Sequence, residues 1–285
     1  MNGIVLQANT KRQFEQFIAN PSHGLLIIGP GGIGKLTLAK YLAARVIGLE
    51  PGKLASYPYF SLVQPEKQSV SIDSIRQTGR FLHHKTIGQG NIRRAVIIED
   101  AHLMTLEAQN AFLKSLEEPP LDTILILTAG QPQLLLPTIT SRVQTLSVHV
   151  PARADLEAYF NGQPQFDRAY ALSGGLPGLT SALMADDQTH PLYQAVIDAK
   201  ALLQKTIFER LTGIDLISRD KLQVPLLIEA LERIAQTGLE QAAIKKQTPA
   251  LKRWHQLLET LVYTRNAIEK NANQKLALTY LFLNM

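Results

Sequence analysis

The sequence predicts an α/β fold: a mostly parallel sheet with helices on both faces, followed by an all-helical remainder. Three observations predict it. Short apolar runs at residues 25–28 (LLII), 95–98 (AVII) and 124–128 (ILILT) alternate with helical periodicity, the pattern of a parallel sheet covered by helices. The first run opens into a glycine-rich loop, a lysine and a helix, the layout of a phosphate-binding loop. After Pro151 no buried-strand run recurs and only helical periodicity remains.

In chain order, residues 11–19 read as a short helix before the turn Asn20-Pro21-Ser22. The strand at 25–28 leads into Gly29, Pro30, Gly31, Gly32, Ile33, Gly34 and Lys35, and then into a helix with Leu38, Leu42 and Val46 at four-residue steps. The stretch after Gly48 is irregular. A helix begins near Ser71, with Ser71 or Asp73 as its cap and Ile72, Ile75, Phe81 and Leu82 facing the core. The strand at 95–98 ends in Glu99-Asp100. A helix over 105–117 stops at Pro119-Pro120. The strand at 124–128 follows, and a further strand is expected over 143–150. Residues 151–187 carry two or three short helices, broken at Asn161-Gly162 and Gly174-Gly175. Residues 190–285 carry longer helices, one with an apolar stripe of Leu251, Trp254, Leu257, Leu258, Leu261 and Val262. The expected domains are therefore 1–150, 151–187 and 190–285.

Composition narrows the class. A chain of 285 residues with 45% hydrophobic and 19% charged residues fits a soluble globular protein of two or three domains. Its apolar runs are too short to span a bilayer. The first residues, MNGIVLQANTKRQFEQF, lack the apolar core of a secretory signal. The absence of cysteine excludes disulfides and thiolate zinc sites and fits a cytoplasmic location. A formal charge of +5 permits nucleic-acid contact without requiring it, so a stand-alone DNA-binding protein rests on charge alone.

The loop carries the chemistry. Glycines let backbone N–H groups converge on an anion, the helix N-terminus adds partial positive charge, and the Lys35 ammonium reaches the outer phosphates. The next residue in such loops is Ser or Thr, whose hydroxyl binds the Mg²⁺ of the nucleotide. Here it is Leu36. Thr37 lies about 100° further round the helix and is a poor substitute. ATP is the expected occupant, with only weak support for Mg²⁺; no metal site and no zinc are expected. The acidic pair Glu99-Asp100 stands where carboxylates reach metal and water, but in the order opposite to the usual Asp-Glu. Misplacement on the order of 1 Å can cost about 10²-fold in rate. His23, His102 and the His83-His84 pair have no metal-ligand spacing and are expected to be surface or loop residues.

The segment from Glu107 to Arg142, with NAFLKSLEEPP at 110–120 and TITSRV at 138–143, resembles the clamp-loader branch of the AAA+ ATPases. The resemblance covers roughly residues 20–180. Within that branch the chain looks like the delta-prime subunit family of the bacterial DNA polymerase III clamp loader. The resemblance implies an AAA+ domain, a small helical lid and a helical collar that mediates oligomerisation. It also implies that Arg142 is an arginine finger acting in trans on a neighbour's ATP. Such a residue is worth about 10³ to 10⁵ in rate. The implied partners are gamma-like ATPases and a delta-like subunit, with the sliding clamp and primed DNA reached through the complex.

Departures from the family pattern cluster at the chain's own site. The four-cysteine zinc module is missing. The polar sensor position falls on Ala129 or Gly130, and the lid segment at 174–178 has no arginine. With Leu36 and the inverted Glu99-Asp100, these imply weak or no hydrolysis by this chain. The alternative is an active gamma-like clamp-loader ATPase or a related motor, with Thr37 serving Mg²⁺.

Overall fold

The computed structural model describes residues 4–66, 69–88, 90–219, 223–270 and 272–285. The chain divides into two compact units, Met1–Pro151 and Ala152–Met285.

The first unit runs α1 (Ala8–Ala19), β1 (Gly24–Ile28), α2 (Lys35–Ile47), β2 (Phe60–Val63), α3 (Ile72–Leu82), β3 (Arg94–Ile98), α4 (Leu106–Glu117), β4 (Thr123–Ala129), α5 (Pro137–Thr140) and β5 (Gln144–Ser147). Its five strands form one parallel sheet in the order β2-β3-β4-β1-β5. β1 lies between β4 and β5, with Gly24 opposite Leu125 and Leu25 opposite Gln144. Every residue of β3 and β4 is buried, as expected of central strands covered on both faces. On one face, Leu26, Val96, Ile98, Leu125 and Leu127 pack with Ile75 and Leu82 of α3 and Phe112 and Leu116 of α4. α2 packs on β3 and β4, and α1 on β5.

Helix starts follow the expected chemistry. Ser71 caps α3 by accepting from the Ser74 N–H, and Thr105 caps α4 by accepting from the Ala108 N–H. Two strand expectations need correction. β2 lies in the stretch expected to be irregular; it has four residues and is only half-buried except at Val63. The strand expected over 143–150 is confined to Gln144–Ser147, because as an edge strand it pairs with β1 alone.

The second unit is helical: α6 (Arg153–Tyr159), α7 (Phe166–Ser173), α8 (Pro177–Ala185), α9 (Pro191–Gln204), α10 (Ile207–Thr212), α11 (Ile214–Ile217), α12 (Gln223–Ile244), α13 (Thr248–Glu269) and α14 (Gln274–Leu283). α12 packs against α7, α9 and α13. The Trp254 ring of α13 lies over Gly238 of α12, so close that a Cβ at 238 would stand 2.4 Å from the indole. The buried stripe of α13 is Leu257, Thr260, Leu261 and Thr264, rather than one ending at Val262, which is exposed. The two threonines are tolerated inside because their hydroxyls donate to the Gln256 and Thr260 carbonyls. Among the described residues, no helix is long and apolar enough to cross a membrane.

Candidate functional site

The loop leaves the C-terminal end of β1 and the chain then crosses to β2 at the far edge of the sheet. This reversal of strand order opens a crevice beyond the strand ends, where parallel sheets bind ligands. The Gly29 N–H donates to the Ala129 carbonyl at 3.3 Å, tying the loop's first residue to β4. Gly32 and Gly34 have φ of 69° and 93°, left-handed values that a side chain would strain. Gly34 caps α2, whose first turn carries no acidic residue, so its amide end stays electropositive.

Lys35 is buried to 8% exposure, and its Nζ donates to the Gly29 and Pro30 carbonyls at 3.1 and 3.0 Å. The ammonium is thus folded against the loop that would wrap an anion. Leu36 is half-buried and Thr37 is exposed. No hydroxyl occupies the position after Lys35.

The acidic pair follows β3. Glu99 accepts from Gln64 Nε2 at 2.7 Å, and its N–H donates to the Val63 carbonyl at 2.8 Å. Its carboxylate is therefore held on the β2 side of the crevice. Asp100 has φ 42° and ψ 53°, a left-handed conformation uncommon outside glycine. Its N–H donates to Thr128 Oγ1 at 2.9 Å. Among the described residues, no group of three His, Asp or Glu side chains is arranged to hold a metal ion.

His102 does not behave as a surface residue. It sits in a tight turn (Ala101–Leu103), but its side chain is only 12% exposed. The Gly130 N–H donates to His102 Nδ1 at 3.4 Å, and the Asp100 carboxylate lies 4.0 Å from the same nitrogen. A Cβ added at Gly130 would stand 3.7 Å from His102 Cε1, 3.8 Å from its Nε2 and 3.9 Å from Lys35 Nζ. A Cβ at 130 would thus stand in ordinary contact with both the imidazole and the Lys35 ammonium. Burial lowers the His102 pKa, Asp100 opposes the shift, and the Lys35 charge adds to it. Histidine spacing carries no signal of this, since the contact joins the residue after β4 to the turn after β3.

Arg142 lies elsewhere. It follows α5, and its Nη1 donates to the Thr138 carbonyl at 2.9 Å and its Nη2 to Glu117 Oε1 at 2.8 Å. A Cβ on Gly24 would stand 3.5 Å from the Arg142 carbonyl, which puts this residue at the N-terminal end of β1. The loop is at the other end, roughly 13 Å of strand away by the usual rise per residue. The structure brings Lys35, Asp100, Gly130 and His102 together, and leaves Arg142 apart from them.

The family described as DNA polymerase III, delta subunit, matches residues 6–152, just over half of the chain. The DNA polymerase III subunit delta' of Pseudomonas aeruginosa is 33% identical over 211 residues, 66% of this chain and 64% of that one. That of Bacillus subtilis is 38% identical over 138 residues, 44% of this chain and 41% of the relative. The chain therefore spans less than two thirds of the length of these relatives. Among solved structures, a DNA polymerase III gamma subunit-related protein from Thermotoga maritima aligns over 95% of this chain and 97% of its own. Its TM-score is 0.50 at 20% identity, a likeness of fold alone.

Proposed function

The chain belongs to the DNA polymerase III delta-subunit family, and from that premise we propose that it is a delta-prime-like subunit of a clamp loader. In this reading it assists ATP-dependent loading of a sliding clamp on primed DNA, hydrolyses ATP weakly or not at all, and offers Arg142 to a neighbour's nucleotide. Gamma-like ATPases and a delta-like subunit are its proposed partners. In the helical unit, residues 151–187 would be the lid and 190–285 the oligomerising collar.

The observation that carries the reading is the separation of two sets of residues along β1. At one end, Gly29 to Lys35 keep the shape and charge of a phosphate cradle. The position whose hydroxyl would hold Mg²⁺ carries Leu36, and Glu99 is bonded to Gln64. At the other end, Arg142 is partly exposed and too far from its own loop to serve it. A gamma-like motor would need Thr37 on Mg²⁺, and its exposed side chain on a different face of α2 speaks against that.

The reading is tested by calorimetry of ATP binding with and without Mg²⁺, beside phosphate release by the purified chain. Binding that needs Lys35 and depends little on Mg²⁺, with negligible turnover, is the expected result. Robust turnover by the chain alone, abolished by Lys35→Ala, would establish the motor instead.

A further inference from the structure

Two hydrogen-bonding nitrogens converge on one small space at the mouth of the loop. Lys35 Nζ and His102 Nε2 both lie within 4 Å of the point where a Cβ on Gly130 would sit. Lys35 comes from α2 and His102 from the turn after β3, so two separate segments deliver them. Because His102 Nδ1 accepts the Gly130 N–H, the neutral ring carries its proton on Nε2, the nitrogen 3.8 Å from that point. A glycine at 130 leaves that approach open.

We infer that His102 is a phosphate-binding residue of this site, donating from Nε2 to the outer phosphate of the nucleotide held by Lys35. The inference rests on the loop binding nucleotide, as proposed above, and adds a residue to it. Lysine in such loops reaches the β- and γ-phosphates, so a donor converging on the same space is placed to meet the outer phosphates of the nucleotide.

The test is calorimetric titration of the full chain with ATP and with ADP. Wild type, His102→Ala, His102→Gln and Lys35→Ala are compared, each with its thermal unfolding recorded. His102→Ala is expected to weaken nucleotide binding about tenfold, the usual scale of a hydrogen bond to a charged group. His102→Gln, which keeps a donor, recovers part of the affinity. Folded His102→Ala that binds ATP and ADP with wild-type affinity, while Lys35→Ala does not bind, would overturn the role of His102 and leave the nucleotide reading intact. Wild-type protein that binds neither ATP nor ADP would overturn both.

Discussion

Arg142 Nη2 donates to Glu117 Oε1 at 2.8 Å, joining the last residue of α4 to the turn after α5. A second bond from Nη1 to the Thr138 carbonyl fixes the plane of the guanidinium. The arginine is therefore held in position before any partner arrives. In an assembled loader, Arg142→Ala is expected to lower the neighbour's ATP turnover by about 10³ to 10⁵. This chain's own ATP affinity should stay unchanged. Glu117→Gln should shift stability by only about 0–1 kcal/mol, since the pair is exposed, yet lower the stimulated rate. Phosphate-release assays with the reconstituted complex check both, and a normal stimulated rate in Arg142→Ala would remove the finger.

Leu36→Thr restores the hydroxyl position after Lys35. ATP affinity in this variant should become Mg²⁺-dependent, measured by calorimetry with and without the metal. Hydrolysis should not follow, because Glu99 remains bonded to Gln64 and the acidic order remains reversed. Vigorous turnover in Leu36→Thr would show that one missing ligand was the whole defect.

Gly238→Ala tests the contact between α12 and α13. Alanine is the better helix former by up to about 1 kcal/mol. Its methyl would stand well inside contact distance of a rigid indole, and such overpacking costs typically about 1–3 kcal/mol. A net loss of stability is expected. Trp254 is the chain's single tryptophan, so its fluorescence reads both the ring's displacement and the unfolding midpoint.

Asp122 gives a pH test of stability. Burial works to raise its pKa. The Thr86 hydroxyl, the Arg94 charge, the Thr123 hydroxyl and the Arg93 guanidinium outweigh that and hold it below its ordinary value of 3.8. A carboxyl lowered on folding adds stability that is fully present above the unfolded value and is lost as pH falls through the folded one. Asp122→Asn should thus cost on the order of 1 kcal/mol at pH 7. The cost should hold down to about pH 4 and shrink below it. Urea midpoints of both proteins from pH 7 to pH 2.5 check this. A gap that stays constant to the lowest pH would assign the cost to packing.

Legibility followed burial. β1, β3 and β4 read clearly because central parallel strands are apolar on both faces. β2 did not, since Phe60, Ser61 and Leu62 are only half-buried and Tyr57-Pro58 precedes them. β5 was overextended because Val148 and Val150 continue its apolar pattern after its pairing ends. The cap of α3 was legible as Ser71 or Asp73, because a cap depends on a residue three positions away; the structure selects Ser71. The loop was legible for the same local reason. The environments of Glu99, His102 and Arg142 were not. Gln64, Gly130 and Glu117 reach them across 35, 28 and 25 residues, distances over which sequence periodicity carries no information.

The strand order also sets a timetable. β1 finds its partners only in β4 and β5, with Gly24 paired to Leu125 and Ile28 to Ser147. On the ribosome, the apolar run Leu25-Leu26-Ile27-Ile28 emerges and must wait for about 120 more residues. At about 5–20 residues per second that interval is roughly 6–24 s. During it the glycine loop after β1 has no paired strand to hang from, and the apolar run stays unpaired. Chains halted before residue 123 should therefore be captured and degraded, whereas those released after 147 can close the sheet.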